Sequence, residues 1–173
     1  MSQQGLLKLI VAMMLCLALS HGYLAQARAQ ESAEKWEELA SIQLEVATGY
    51  DSEAEARIKE AFQYWSPPDS GVAADLLNRA GDNKFIAFES YQKANTNWEN
   101  AARAYGTARD DIRAMEARGN AVKSKEAAKR TLREGTEIYK AAANMYESTS
   151  NLEKKWEVIG KLARNIERLM GLK

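Results

Sequence analysis

Cysteine and histidine occur once each in these 173 residues, as Cys16 and His21. Both fall in an N-terminal segment built like a secretory signal, with a charge, an apolar run and small residues at a cleavage spacing. Lys8 leads into the 11-residue run Leu9–Leu19, and Ala25, Ala27 and Ala29 offer two A-x-A cuts. A bilayer-spanning helix needs about 20 apolar residues, so residues 1–29 are expected to be a cleaved signal peptide, with no transmembrane span after cleavage. Met13, Met14 and Leu15 before Cys16 do not suit lipidation, which wants small residues there.

The remaining stretch, residues 30–173, then lacks Cys and His altogether. This excludes disulfides, thiolate nucleophiles, imidazole bases, and Cys or His metal sites in a single step. An exported chain without disulfides has to be held by its core, and a chain of this size is long enough for one domain that buries roughly two thirds of its unfolded surface. Charge of one sign is also missing. The chain has 24 basic and 24 acidic residues and a formal net charge of +0, interleaved as in KSKEAAKRTLREGTE, which describes a solvated helix face. Such a balance gives no electrostatic basis for binding nucleic acid.

Proline is nearly absent, with two residues adjacent at Pro67 and Pro68, whereas Ala, Glu, Lys, Arg and Leu are abundant. The chain therefore reads as all-α. Gly49 followed by Ser52 and Glu55 reads as a helix stop and a capping box. This predicts helices over about 32–48 and 53–65, a firm break at 66–70, and a short helix over about 70–80 ending at AGDN (Ala80 to Asn83). Periodicity resumes from Lys84 to about Arg118, with a turn at Gly119 and Asn120, and again to Ser148. After STSN (Ser148 to Asn151) a last helix carries Leu152, Trp156, Ile159, Ala163, Ile166 and Met170 on one stripe.

The most patterned stretch is YQKANTNWENAARAYGTARDDI, in which Tyr91, Trp98, Tyr105 and Ile112 stand seven apart and Ala94, Ala101 and Ala108 follow the first three. The order small, ring, small occurs at Ala87, Tyr91, Ala94, at Ala101, Tyr105, Ala108, and at Gly135, Tyr139, Ala142. The last two copies are 34 residues apart, an offset that also relates Tyr64, Trp98, Leu132 and Ile166. Over residues 82–149 this resembles the tetratricopeptide repeat, although Glu89 and Gln92 stand where that family has Gly and Tyr. The resemblance implies helical hairpins with a turn at Asn95, Thr96 and Asn97, and protein binding on a concave face. The other reading of the same residues is a bundle of long antiparallel helices with a heptad seam. Either way the rings serve helix packing.

Carboxylates are the remaining catalytic candidates, but Glu37 with Glu38, Glu53 with Glu55, and Asp110 with Asp111 are too close in sequence to converge on one face. GYDSEAE (Gly49 to Glu55) lacks calcium-loop spacing. No catalytic, cofactor or metal residue is assigned. Two places suit a protein partner, since Trp and Tyr are enriched at binding hot spots: Phe62, Tyr64 and Trp65 beside the prolines, and Trp36 on the stripe Trp36, Leu39, Ile42, Gln43, Val46. The expectation is a single exported, periplasmic or extracytoplasmic, non-catalytic helical domain. It is either a bundle or a short tetratricopeptide-like array, acting as adaptor, scaffold or assembly subunit for cell-envelope proteins, as a homo-oligomer or within a larger complex. A helical periplasmic chaperone, and a bundle using a carboxylate or ligand pocket, are the alternatives.

Overall fold

The computed structural model describes residues 3–66 and 69–171, with side chains from residue 22 onward. The side chains of the expected signal run, and Pro67–Pro68, lie outside the described residues. Four helices and no strand are present among those described: α1 (Gln3–Ala61), followed by a 3₁₀ turn (Phe62–Tyr64), then α2 (Ser70–Thr107), α3 (Asp111–Ser148) and α4 (Leu152–Gly171). Successive helices run antiparallel. α2 is the central one, packed along its length against both α1 and α3, while α1 and α3 scarcely meet and α4 lies on α3.

What brings the helices together is alanine at every seventh position. On α1 these are Ala33, Ala40, Ala47, Ala54 and Ala61, all fully buried. On α2 they are Ala73, Ala80, Ala87, Ala94 and Ala101, continued at Ala108 just past its end, and on α3 Ala114, Ala121, Ala128, Gly135 and Ala142. A seven-residue period keeps one side of a helix on its neighbour, and a small side chain there permits the closest interaxial distance. Large side chains flank the seams: Tyr91, Trp98 and Tyr105 on α2, and Leu132, Tyr139 and Tyr146 on α3, all buried. The large-beside-small spacing thus has the packing role expected of it, except at Ile112, which lies on α3 and is 71% exposed.

Several expected boundaries are corrected. Gly49–Ser52 lies within α1, Ala80–Asn83 within α2, and Gly119–Asn120 within α3. A helical glycine costs about 1 kcal/mol against alanine, which the packing of helices this long outweighs. Asn95–Asn97 are helical as well, and the helices give no repeat-specific evidence for 34-residue hairpins. The α2–α3 turn is at Ala108–Asp110 and matches the α3–α4 turn at Thr149–Asn151, which falls where expected. In each turn a non-glycine residue takes the left-handed conformation, Arg109 with φ 61 and Ser150 with φ 57. In each, the next N–H bonds back to the final turn of the helix, Asp110 to Tyr105 O at 2.9 Å and Asn151 to Tyr146 O at 2.9 Å, which is the Schellman arrangement. The same residues cap the following helix, Asp110 accepting from Arg113 N at 3.1 Å and Asn151 from Lys154 N at 3.3 Å.

Much of the two apolar stripes read from the sequence lies outward. Leu39 (44%), Ile42 (46%) and Val46 (38%) on α1 are exposed, and so are Leu152 (58%), Trp156 (66%), Ile166 (41%) and Met170 (59%) on α4. Each helix instead presents its small-residue or mixed face to the bundle, because the seam is set by close approach and not by bulk.

Glycine substitutions test this geometry. A Cβ at Gly81 would lie 2.5 Å from a carbon of the buried Tyr139 ring, whereas one at Gly119 would meet nothing within 4 Å. Gly81→Ala is expected to lower stability by about 1–3 kcal/mol through overpacking, and Gly119→Ala to raise it by about 0.5–1 kcal/mol. Urea unfolding of both variants checks this, and a loss at Gly119 would contradict a helix there.

Candidate functional site

The most buried charge in the described fold is Lys84, whose side chain is 4% exposed. Its ammonium on α2 lies 2.9 Å from Asp51 Oδ1 of α1 and 2.7 Å from Glu134 Oε2 of α3. Thr131 and Tyr91 hydroxyls donate to Asp51 Oδ2 at 3.4 and 3.3 Å. The knot ties the middle parts of α2 and α3 to the C-terminal part of α1. Gly135 leaves room for it, as a Cβ there would sit 3.1 Å from Lys84 Cβ. Burial pulls the Lys84 ammonium down, but the bonds to Glu134 and Asp51 outweigh it and hold the group above its ordinary range. A lysine held charged in this way is neither a nucleophile nor a proton donor near neutral pH.

The tyrosines repeat the theme at helical period. Tyr105 OH donates to Glu37 Oε2 at 2.6 Å, and Tyr139 OH to Asp82 Oδ1 at 2.6 Å. Tyr146 OH donates to Asp75 Oδ1. Burial first, and then the facing carboxylate, push all four phenols, Tyr91, Tyr105, Tyr139 and Tyr146, above their usual value. α4 adds a ladder of cations that meet two of these acids and a third one heptad on: Lys154 on Asp75 at 2.7 Å, Lys161 on Asp82 at 2.9 Å and Arg168 on Glu89 at 3.3 Å. Each cation also lies over a ring, that of Tyr146 at 5.7 Å, Tyr139 at 5.8 Å and Phe85 at 4.4 Å. Burial opposes ionisation of Asp75, yet the bonds from Lys154 and Tyr146 leave its carboxyl below the usual range.

One carboxylate of each candidate pair is taken up by a structural contact. Glu37 accepts from Tyr105, Asp110 caps α3, and Glu53 pairs with Arg57 at 2.5 Å. Among the described residues no cluster of three or more His, Cys, Asp or Glu has metal-binding geometry, and no helix is long and apolar enough to cross a membrane.

The expected partner-binding residues separate. Trp36, near the middle of α1, is half-buried against the cluster of Ala40 and Tyr105, roughly 40 Å along the helix from Phe62 at its rise of 1.5 Å per residue. Tyr64 turns into the core beside Ile58, Leu76 and Met145. Phe62 and Trp65 stay together, their rings stacked at 5.2 Å and 21°. They are 63% and 46% exposed. Trp65 forms one wall of an open groove of ≈ 490 Å³ completed by Ser70 and by Ala141, Asn144, Met145 and Ser148 of α3. A second open cleft, of ≈ 600 Å³, lies beyond the end of α4 between Gln92, Thr96 and Lys125 and is polar and of mixed charge. Sequence reasoning missed the Lys84 knot and the α4 ladder. The signal for the ladder was present, because Asp75, Asp82, Glu89 and Lys154, Lys161, Arg168 are two heptad series.

No known protein family matches the chain, and no curated protein or solved structure is significantly similar to it.

The polar locks predict a pH profile. In the unfolded chain phenols ionise near pH 10 and lysine near pH 10.4. The folded chain keeps those protons longer, so the stability they carry is fully present below about pH 10 and is lost as pH rises further. Asp75 works in the opposite direction, and its contribution is lost as pH falls below about 3.9. Urea midpoints measured between neutrality and alkaline pH should drop above pH 10, and Tyr139→Phe with Tyr146→Phe should make that drop shallower; an unchanged drop would refute the assignment. Lys84→Met, which strands Asp51 without its cation, should cost about 3–5 kcal/mol, with part of the loss recovered by adding Asp51→Asn.

Proposed function

We propose that this protein is an exported, non-catalytic helical adaptor, scaffold or assembly subunit that holds another cell-envelope protein at the corner formed by Phe62 and Trp65. The observation that carries this reading is the stacked aromatic pair standing exposed beside an open groove. Most of the other rings with a hydroxyl are engaged across helix seams. Rigid rings at a helix end offer large contact area at little conformational cost, which is what binding hot spots use. The signal-like start supports export, and the balanced, interleaved charge supports a protein partner over nucleic acid. The non-catalytic reading draws on Glu37, Asp51, Asp75, Asp82 and Asp110, which are engaged by tyrosine hydroxyls, lysines and a helix cap. A chaperone of the helical-arm kind would want cationic cavity walls, and the cleft beyond α4 mixes Glu89 with Lys93 and Lys125.

The test is co-purification from the native cell envelope with wild-type protein and with the Phe62→Ala/Trp65→Ala variant. The double variant should lose a specific co-eluting protein by about tenfold or more while shifting stability by less than about 1 kcal/mol for partly exposed side chains. A fall of many degrees in melting temperature would assign the rings to the core, and undiminished capture would remove the corner from the interface.

A further inference from the structure

α4 is seated on the poorer of its two faces. The side turned to the bundle carries Val158, Leu162 and Leu169, together with Asn165, whose Nδ2 is buried without a partner. The other side carries Leu152, Trp156, Ile159, Ala163, Ile166 and Met170 at alternating spacings of four and three, the a/d seam of a coiled coil, all left to solvent except Ile159, which is half-buried against the core. Trp156 and Met170 are 66% and 59% exposed. A seam of this kind is built to meet another helix.

A complementary face stands on α3. α4 has 20 residues against the 38 of α3, so starting from the turn at 149–151 it covers only the C-terminal half. Asn165 lies against Gly135, and Leu169 packs on the cluster of Leu132 and Ala128. Before that point α3 exposes Ile112 (71%), Met115 (68%), Gly119 and Val122 (61%), again at three-four-three spacing. The heptad line of Met115 and Val122 becomes buried further along, at Thr136 (5%) and Ala143 (6%), in the half where α4 lies on α3.

Charge selects the pairing. On the open edge of the α4 seam stand Glu153, Glu157 and Glu167 with Arg164, while Lys155 on the other edge is tied to Glu147 of α3, and beside the α3 stripe stand Arg118, Lys123 and Lys125 with Asp111, Glu116 and Glu126. Two copies of the α4 seam would set Glu153 and Glu167 against their own like, whereas α3 offers those two carboxylates Arg118, Lys123 and Lys125. An acidic rim also disfavours the anionic surface of a lipid bilayer, which attracts basic amphipathic helices. We infer that the protein self-associates, the outer face of α4 from one copy seating on the N-terminal half of α3 of a second copy. A two-fold axis makes the contact twice and closes a dimer, since identical subunits that exchange the same two patches satisfy both at once. This inference is independent of the Phe62–Trp65 corner.

Sedimentation of the purified protein at micromolar concentration tests it, with circular dichroism to confirm that each variant remains helical. The wild type should be dimeric. Trp156→Glu on one face and Val122→Glu on the other should each weaken the dimer by about 30-fold or more, the size of a hot-spot loss. Both side chains are exposed within one copy, so neither change should alter its fold. Lys123→Glu with Lys125→Glu should also weaken association, and adding Glu153→Lys with Glu167→Lys should restore it. A monomeric wild type would overturn the proposal, as would a dimer indifferent to Val122→Glu. So would a monomer that floats with anionic vesicles through Trp156. None of these outcomes bears on partner capture at Phe62 and Trp65, which the corner variant reads separately.

Discussion

Helix backbones come close together only where the side chains between them are small, and this chain places an alanine or glycine at every seventh residue of three successive helices. Ala33 to Ala61, Ala73 to Ala108 and Ala114 to Ala142 are the lines along which α1, α2 and α3 touch. Bulk is displaced to the flanks of each seam. A ring at the flank reaches across the neighbouring helix, and its hydroxyl emerges where that helix turns polar. A phenol buried to this depth needs an acceptor, and a ring every seven residues needs one every seven residues. α1 supplies Glu37 opposite Tyr105 and Asp51 opposite Tyr91, with Leu44 between them packing in the same cluster as Trp98, the ring without a hydroxyl. α2 supplies Asp82 and Asp75 opposite Tyr139 and Tyr146 in the same way.

The polar groups follow from that packing. Once Asp75 and Asp82 are in place to accept from tyrosines, they form an acidic row beside the groove between α2 and α3, and α4 lies in the groove because Lys154 and Lys161 repeat at the same interval. Lys84 is the exception to an apolar seam. It occupies the same heptad line as Tyr91, Trp98 and Tyr105 but carries a charge, and it is tolerated because α1 and α3 each bring a carboxylate to it. A buried ion pair contributes little net stability against an apolar replacement. Its value lies in register, since sliding either neighbour by one turn would strand the ammonium.

Much of this was legible before the fold was known. The all-α class, the packing role of the Tyr91, Trp98, Tyr105 series and the turn at Ser148–Asn151 follow from composition and period. The turn at Ala108–Asp110 did not, because its left-handed position is held by Arg109 and no glycine marks it. The glycines that suggested turns, Gly49 and Gly119, are helical, since local preference of about 1 kcal/mol yields to a seam that spans the whole helix. The two apolar stripes legible on α1 and α4 do not mark the seams for a related reason: hydrophobic period locates a seam when the seam is made of large residues, and here the buried period is alanine. Among the residues expected to suit a partner, Phe62 and Trp65 were placed together by their spacing at a helix end. Tyr64, one residue from Trp65, turns into the core, a difference of direction within one 3₁₀ turn that sequence spacing does not resolve.

An alanine seam has a further consequence for what remains outside. Each alanine removes little apolar surface from water, roughly 25 cal/mol for each Å² buried, so the large aliphatic and aromatic side chains that other bundles consume internally are left for the exterior. The outer face of α4 is where this is most concentrated, because α4 needs only its cation ladder, Val158 and a few leucines to stay in place. Isolated exposed apolar residues are ordinary, but a contiguous stripe at coiled-coil spacing is not. The economy of the interior and the surplus on the surface are thus the same design, a close-packed frame that leaves several of its larger apolar side chains at the surface.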